Sequence, residues 1–192
     1  MNAKDLNSKN YISNIIFITG GTKSGKSEFA EHLAKEAKEA KEVMKLSYVA
    51  LSENNIDDKE WQEKINLHRK RRPKDWEIIE TTDLLNTLSK EDGPLLIDSI
   101  GGFVMESIGK EQKKWSTKMN LLITLLMNRK NITIIVGEQV GWSLVSEYKI
   151  GNTYIERIGE LQKRITKISK DNWLAINGRA IKIDEISIEI PT

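Results

Sequence analysis

Gly20-Gly21-Thr22-Lys23-Ser24-Gly25-Lys26-Ser27 fits the pattern G-x-x-x-x-G-K-S, and its residue types suit a chain of phosphates. Glycines let the backbone turn several N–H groups toward one anion, and the amino end of a following helix adds positive potential. Lys26 can reach β- and γ-phosphate oxygens, and the Ser27 hydroxyl is a hard oxygen ligand for Mg2+. The bland alternative is a glycine-rich turn with an accidental lysine, and the flanks argue against it. The apolar run Asn14 to Thr19 stops at Gly20, as a buried strand would, and the helix-forming residues Glu28 to Leu33 follow Ser27 directly.

A magnesium enzyme of this kind needs an acid at the end of a neighbouring strand, and Leu95-Leu96-Ile97-Asp98 offers one. Strands also end in Asp because its side chain caps the next turn, so Asp98 has a structural reading beside the metal one. His68 is the other candidate. Trp61, Ile65 and His68 fall on one face of a helix-like segment that opens after Asp57-Asp58, runs into Arg69-Lys70-Arg71-Arg72 and stops at Pro73. Spacing alone leaves His68 open as a nucleophile or as a half-buried packing group, and the basic run open as ligand contacts or as a solvated helix end.

Around these residues, apolar runs recur at Leu46 to Ala50, Trp76 to Glu80, Leu95 to Ser99, Ile132 to Gly137 and Trp173 to Ile176. Trp115, Met119, Leu122 and Leu126 repeat at helical spacing, as do Tyr154, Ile158, Leu161, Ile165 and Ile168. Strands alternating with helices predict an α/β fold, a mainly parallel sheet covered on both faces. Asn177-Gly178, between two apolar runs, predicts an antiparallel hairpin at the C-terminal edge. Lys35 to Glu42 reads as a solvated helix end.

Composition sets outer limits. At 192 residues one domain is the default, expected over 14–192 after a disordered extension over 1–13. The sequence is 39% hydrophobic and 30% charged, which is globular, and a net charge of +2 gives no reason to expect nucleic acid. The absence of cysteine removes disulfides, thiolate metal ligands and thiol catalysis together and suits a reducing compartment. Two histidines, His32 and His68, make a structural zinc site a poor reading. The longest apolar stretch, Met119 to Met127, is too short for a bilayer, and a cytoplasmic enzyme without a membrane span is the expectation.

Ile18 to Ser27, then Tyr48-Val49-Ala50-Leu51-Ser52, then Lys64 to Arg69 with Arg72-Pro73, Trp76 and Glu80, resemble in order and spacing the bifunctional adenosylcobinamide kinase/adenosylcobinamide-phosphate guanylyltransferase family of cobalamin biosynthesis. The similarity continues through Leu96-Ile97-Asp98, Glu138-Gln139-Val140-Gly141 and Arg157-Ile158-Gly159 to Ile181-Lys182-Ile183. The resemblance implies a P-loop NTPase-like (RecA-like) fold and two reactions. One phosphorylates the aminopropanol hydroxyl of adenosylcobinamide, and the other transfers GMP from GTP through a guanylylated histidine. His68 matches that histidine. Gly20, Gly21, Thr22, Lys23, Ser24, Gly25, Lys26 and Ser27 match the nucleotide loop, and Ala50, Leu51, Ser52, Arg69, Lys70, Arg71, Arg72, Glu80 and Asp98 match positions lining the nucleotide site. GTP, ATP and Mg2+ are the implied cofactors, with Ser27 and Asp98 managing the metal partly through water. A corrinoid is the implied acceptor, and a homo-oligomer, a trimer in the family, the implied assembly. The residue types agree: a neutral imidazole can attack an α-phosphorus while arginines steady the equatorial oxygens.

The second half departs from the family pattern. Where the family carries Asn-Glu-Val-Gly, this chain has Glu138-Gln139-Val140-Gly141, its acid one place earlier. Side chains alternate along a strand, so the sequence does not assign Glu138 the work of the family's glutamate. After Asp98 the family favours a Thr and a later Asn, whereas Ser99-Ile100-Gly101-Gly102-Phe103 and Glu106 stand here. A P-loop kinase or nucleoside-triphosphatase with another acceptor, or with one of the two activities, is the competing enzyme. A nucleotide-dependent module using Lys64 to Lys74 on nucleic acid is the non-enzymatic alternative, and it lacks a recognised RNA motif.

Overall fold

The computed structural model describes residues 13–41, 45–51, 73–142 and 146–191. Seven strands form one sheet: β1 (Ile15–Gly20), β2 (Ser47–Ala50), β3 (Glu77–Glu80), β4 (Leu95–Asp98), β5 (Thr133–Glu138), β6 (Asp171–Ile176) and β7 (Arg179–Lys182). Their order is β3-β2-β4-β5-β1-β6-β7, with every neighbouring pair parallel except β6 and β7. This is the mainly parallel sheet with an antiparallel C-terminal hairpin that the sequence predicts. The helices are α1 (Lys26–Lys41), α2 (Leu84–Lys90), α3 (Gly101–Met105), α4 (Gln112–Met127), α5 (Lys149–Ile168) and the short α6 (Ile183–Ile186).

Continuous apolar strands form because both faces of the sheet are covered. Along β4, Leu95 and Ile97 join Phe17, Ile135, Phe103, Trp115, Leu122 and Leu161 on one side. Leu96 turns the other way, to Ile18, Tyr48, Ile134, Val136 and, from α1, Ala30 and Ala34. The stripes of α4 and α5, spaced three and four residues apart, supply Trp115, Met119, Leu122, Leu126, Ile158, Leu161 and Ile165 to the first cluster. Each buried large side chain contributes roughly 1.5–3 kcal/mol relative to exposure.

The strand runs of the sequence are off by a residue or so. β7 stops at Lys182, and Ile183, the end of the apolar run Ala180 to Ile183, begins α6 instead. Asp184 explains the change, for its carboxylate accepts from the Asn172 backbone N–H at 2.7 Å and from its side-chain Nδ2 at 2.9 Å, tying α6 to β6. In the hairpin turn Asn177 and Gly178 have φ of 49° and 75°, the paired positive values of a type I′ turn. Because β1, β2, β3, β4 and β5 are parallel, their carboxyl ends share one rim, which gathers Gly20, Ala50, Glu80, Asp98 and Glu138. Among the described residues no helix is long and apolar enough to cross a membrane.

Candidate nucleotide and phosphoryl-transfer site

The loop after β1 is shaped locally before any ligand is considered. Lys23 takes φ 57° and Gly25 φ 93°, the left-handed region in which glycine carries no Cβ penalty. The Ser24 N–H donates to the Gly21 carbonyl at 3.3 Å, and the Phe29 N–H donates to the Gly25 carbonyl at 2.9 Å, which starts α1. From the opposite end of the chain, the Gly178 N–H donates to the Ser24 carbonyl at 3.0 Å. Lys26 Nζ donates to the Gly21 carbonyl at 3.1 Å, so the ammonium stays with the loop. Thr22 and Lys23 are exposed at its tip, and Ser24 is buried beneath.

Ser27, in the first turn of α1, donates from Oγ to Asp98 Oδ1 at 3.3 Å. The other carboxylate oxygen accepts from the Tyr48 hydroxyl at 2.8 Å. Asp98 is thus held by hydroxyls from α1 and from β2. Tyr48 is 2% exposed and packs against Trp76, so its hydroxyl is fixed by the core. A hydroxyl and a carboxylate beside a phosphate loop are hard oxygen donors that fit Mg2+, which keeps several waters and is otherwise held by phosphates. Among the described residues no group of three or more His, Cys, Asp or Glu side chains could cage a metal, and a nucleotide-held ion needs none.

Glu138 lies between the loop and Asp98. It is opposite Gly20 in the β1–β5 register, and the next amide, Gln139 N–H, donates to the Gly20 carbonyl at 3.0 Å. Its Oε1 accepts from Ser99 Oγ, while its Oε2 is sealed from solvent with no hydrogen-bond partner among the described residues. A Cβ on Gly101 would lie 2.6 Å from Oε1 and 2.7 Å from Oε2, and would also meet the Tyr154 hydroxyl, so a glycine here makes room for both groups. Burial pushes the Glu138 carboxyl above the usual carboxylate range and the negative charge of Asp98 adds to this, against the Ser99 hydrogen bond and the positive charge of Lys26. Burial also pushes the Tyr154 phenol up, and the Glu138 charge adds to that rise.

Behind the rim, Gln139 Nε2 donates to Thr19 Oγ1 at 2.9 Å, and Thr19 Oγ1 donates to Gln162 Oε1 at 3.1 Å. Gln162 Nε2 closes the circuit on the Glu138 carbonyl at 3.0 Å. Helix α5 therefore braces the ends of β1 and β5 through one buried side chain.

Of the residues singled out from sequence, Gly20 to Ser27, Ala50, Leu51, Glu80 and Asp98 share the rim. Leu51 is buried, packed on Gly102 at the start of α3. Glu80 is exposed at the end of edge strand β3, paired in register with Ala50. His68, Ser52, Arg69, Lys70, Arg71 and Arg72 lie outside the described residues. Sequence reasoning missed Tyr48, Ser99 and the placement of Glu138. Tyr48 sits inside an apolar run and Ser99 at the end of one, each a polar-tipped side chain among apolar neighbours, and no alternation rule revealed that Glu138 turns to the Asp98 side.

Comparison with known proteins places this geometry in a family. Residues 16–183 match the family described as CobU: Cobinamide kinase / cobinamide phosphate guanyltransferase. The "Bifunctional adenosylcobalamin biosynthesis protein CobU" of Salmonella typhimurium is 26% identical over 187 residues, covering 88% of this chain and 99% of that protein. Its Escherichia coli counterpart is 24% identical over the same length and the same shares. Among solved structures, a KaiC-like protein, PH0186 from Pyrococcus horikoshii OT3, is similar at 20% identity and a TM-score of 0.47, covering 83% of this chain and 69% of that one. With most of its length matched by the family pattern, the chain belongs to the cobinamide kinase / cobinamide phosphate guanyltransferase family.

Proposed function

We infer that this chain phosphorylates adenosylcobinamide with a nucleoside triphosphate, ATP or GTP, and then transfers GMP from GTP to the corrinoid phosphate. The observation that carries the reading is the Ser27–Asp98 contact at the mouth of a loop of the G-x-x-x-x-G-K-S type, within a chain of this family. The loop amides and Lys26 bind the β- and γ-phosphates, and Ser27 and Asp98 hold the hydration shell of Mg2+. When bound, that ion neutralises charge on the phosphate oxygens. Tyr48 fixes the Asp98 carboxylate in the orientation this requires.

In the second reaction the His68 imidazole attacks the α-phosphorus of GTP and pyrophosphate leaves. The terminal phosphate of the phosphorylated corrinoid then takes the GMP from the phosphoramidate. Arg69 to Arg72 steady the nucleotide, as the resemblance implies. The competing reading, a kinase with another acceptor or one activity only, is favoured by the altered stretch at the end of β5, where Glu138-Gln139 replaces Asn-Glu.

Incubation with GTP labelled at the α-phosphate, followed by a denaturing gel, tests the covalent step. Acid-labile, alkali-stable label on the native chain and none on His68→Ala is expected. Label that persists in the variant removes His68 from the mechanism. Turnover of ATP or GTP with adenosylcobinamide, run in parallel, reads the kinase reaction by itself.

A further inference from the structure

Resting on that kinase reading, we propose that Ser99 and Glu138 form the proton relay of phosphoryl transfer: the Ser99 hydroxyl meets the acceptor alcohol and Glu138, behind it, receives the proton. Neither residue is among those that the loop, the metal ligands or the histidine would use.

The placement comes from three independent constraints. Ser99 directly follows Asp98, the last residue of β4, and so lies on the rim where the phosphate loop begins. Glu138 stands opposite Gly20 across the β1–β5 register, beside the first residue of the phosphate loop. Ser99 Oγ donates to Glu138 Oε1, which joins the two ends into one path. Ser99 is half-buried while Glu138 Oε2 is closed to solvent, so the hydroxyl is the reachable end and the carboxylate the enclosed one. A carboxylate with an unpartnered, desolvated oxygen has spare capacity to hold a proton. Among the described residues the charged and titratable groups facing it are Lys26 from α1, Asp98 from β4 and Tyr154 from α5. Lys26 favours the ionised form that must exist before transfer, and Asp98 favours the protonated form that exists after it.

The step balances. The acceptor O–H proton passes to Ser99 Oγ as the Ser99 proton passes to Glu138 Oε1. The acceptor oxygen forms its bond to the γ-phosphorus, and the bond from that phosphorus to the β,γ-bridging oxygen breaks, its electron pair leaving with the nucleoside diphosphate. Glu138 then returns the proton to solvent through Ser99. In the absence of an acceptor the same pair would act on water, giving slow hydrolysis.

The test measures single-turnover phosphorylation of adenosylcobinamide and hydrolysis of the Mg-nucleotide for the full chain, Ser99→Ala, Ser99→Thr, Glu138→Gln and the double variant Ser99→Ala/Glu138→Gln. Thermal melting of each verifies folding. Losses of roughly 100-fold in kcat are expected for Ser99→Ala and Glu138→Gln, with KM for nucleotide little changed and the acid limb of the pH profile gone in Glu138→Gln. Ser99→Thr, which keeps the hydroxyl, should restore the rate, and the double variant should be no worse than the poorer single one. Rates within about threefold of native for either single variant, or losses that multiply in the double variant, overturn the relay. A native chain that hydrolyses nucleotide yet leaves adenosylcobinamide untouched overturns the acceptor assignment instead. The relay then stands or falls on whether hydrolysis drops in the same two variants.

Discussion

The Gly178 amide donates to the Ser24 carbonyl at 3.0 Å, fastening the last hairpin of the chain to the loop that follows the first strand. Gly178 holds φ 75° and nothing lies within 4 Å of where a Cβ would be, so Gly178→Ala meets only conformational strain. A left-handed alanine costs about 1 kcal/mol. For a chain of this size that corresponds to a fall in melting temperature of roughly 2–4 °C. A scanning calorimetry trace that does not move would show that the hairpin tolerates another turn type and that the fastening is dispensable.

Lys26→Ala removes a cation whose ammonium is bonded to the loop itself. A charge-assisted contact to phosphate contributes about 1.5–3 kcal/mol, so nucleotide affinity should fall on the order of 10- to 100-fold. Isothermal titration of Mg-GTP checks this, and unchanged affinity would place the triphosphate elsewhere. Lys26→Arg should not rescue, because the planar fork does not match the contact made by a compact ammonium.

Tyr48→Phe and Asp98→Asn separate the holding of the carboxylate from the carboxylate itself. Losing the 2.8 Å bond from the Tyr48 hydroxyl leaves ring packing intact and should destabilise the fold by about 1 kcal/mol. It should also raise the Mg2+ concentration needed for half-maximal nucleotide turnover. Asp98→Asn removes the negative charge, and turnover should fall on the order of 100-fold with the fold retained. Equal Mg2+ requirements in native and Tyr48→Phe protein would show that Ser27 alone orients Asp98.

Strands β1, β4 and β5 were legible because they are buried on both sides, so each wrote an apolar run that ends at a glycine or an acid. Trp115 to Leu126 and Ile158 to Ile165 were legible because one face of each helix meets the core at a fixed period. The loop was legible because phosphate binding needs backbone conformations that few residues allow. Contacts between distant segments left no such mark. Nothing in the run around Tyr48 says that its hydroxyl reaches Asp98, and nothing in Asn177-Gly178 says that the turn it predicts lands on Ser24. Glu138 shows the limit of alternation, since a strand end is where the backbone leaves the pleat and the rule loses its hold.

Glu138 also sets a pH signature on stability. Burial is the main cause of its raised carboxyl, with the Asp98 charge adding and Ser99 and Lys26 opposing. An acid whose folded value lies above its unfolded one contributes stability that is complete below the unfolded value, about 4.3, and is lost as pH rises through the folded value. Glu138→Gln carries no charge and loses nothing over that range. The melting temperature of the variant minus that of the native chain should therefore be smallest in acid and widen toward neutral pH, with the rise marking the folded carboxyl. Melting curves that run parallel across the range would mean that the carboxylate is ionised in the fold at no cost. The enclosed oxygen would then have to be solvated or paired in solution.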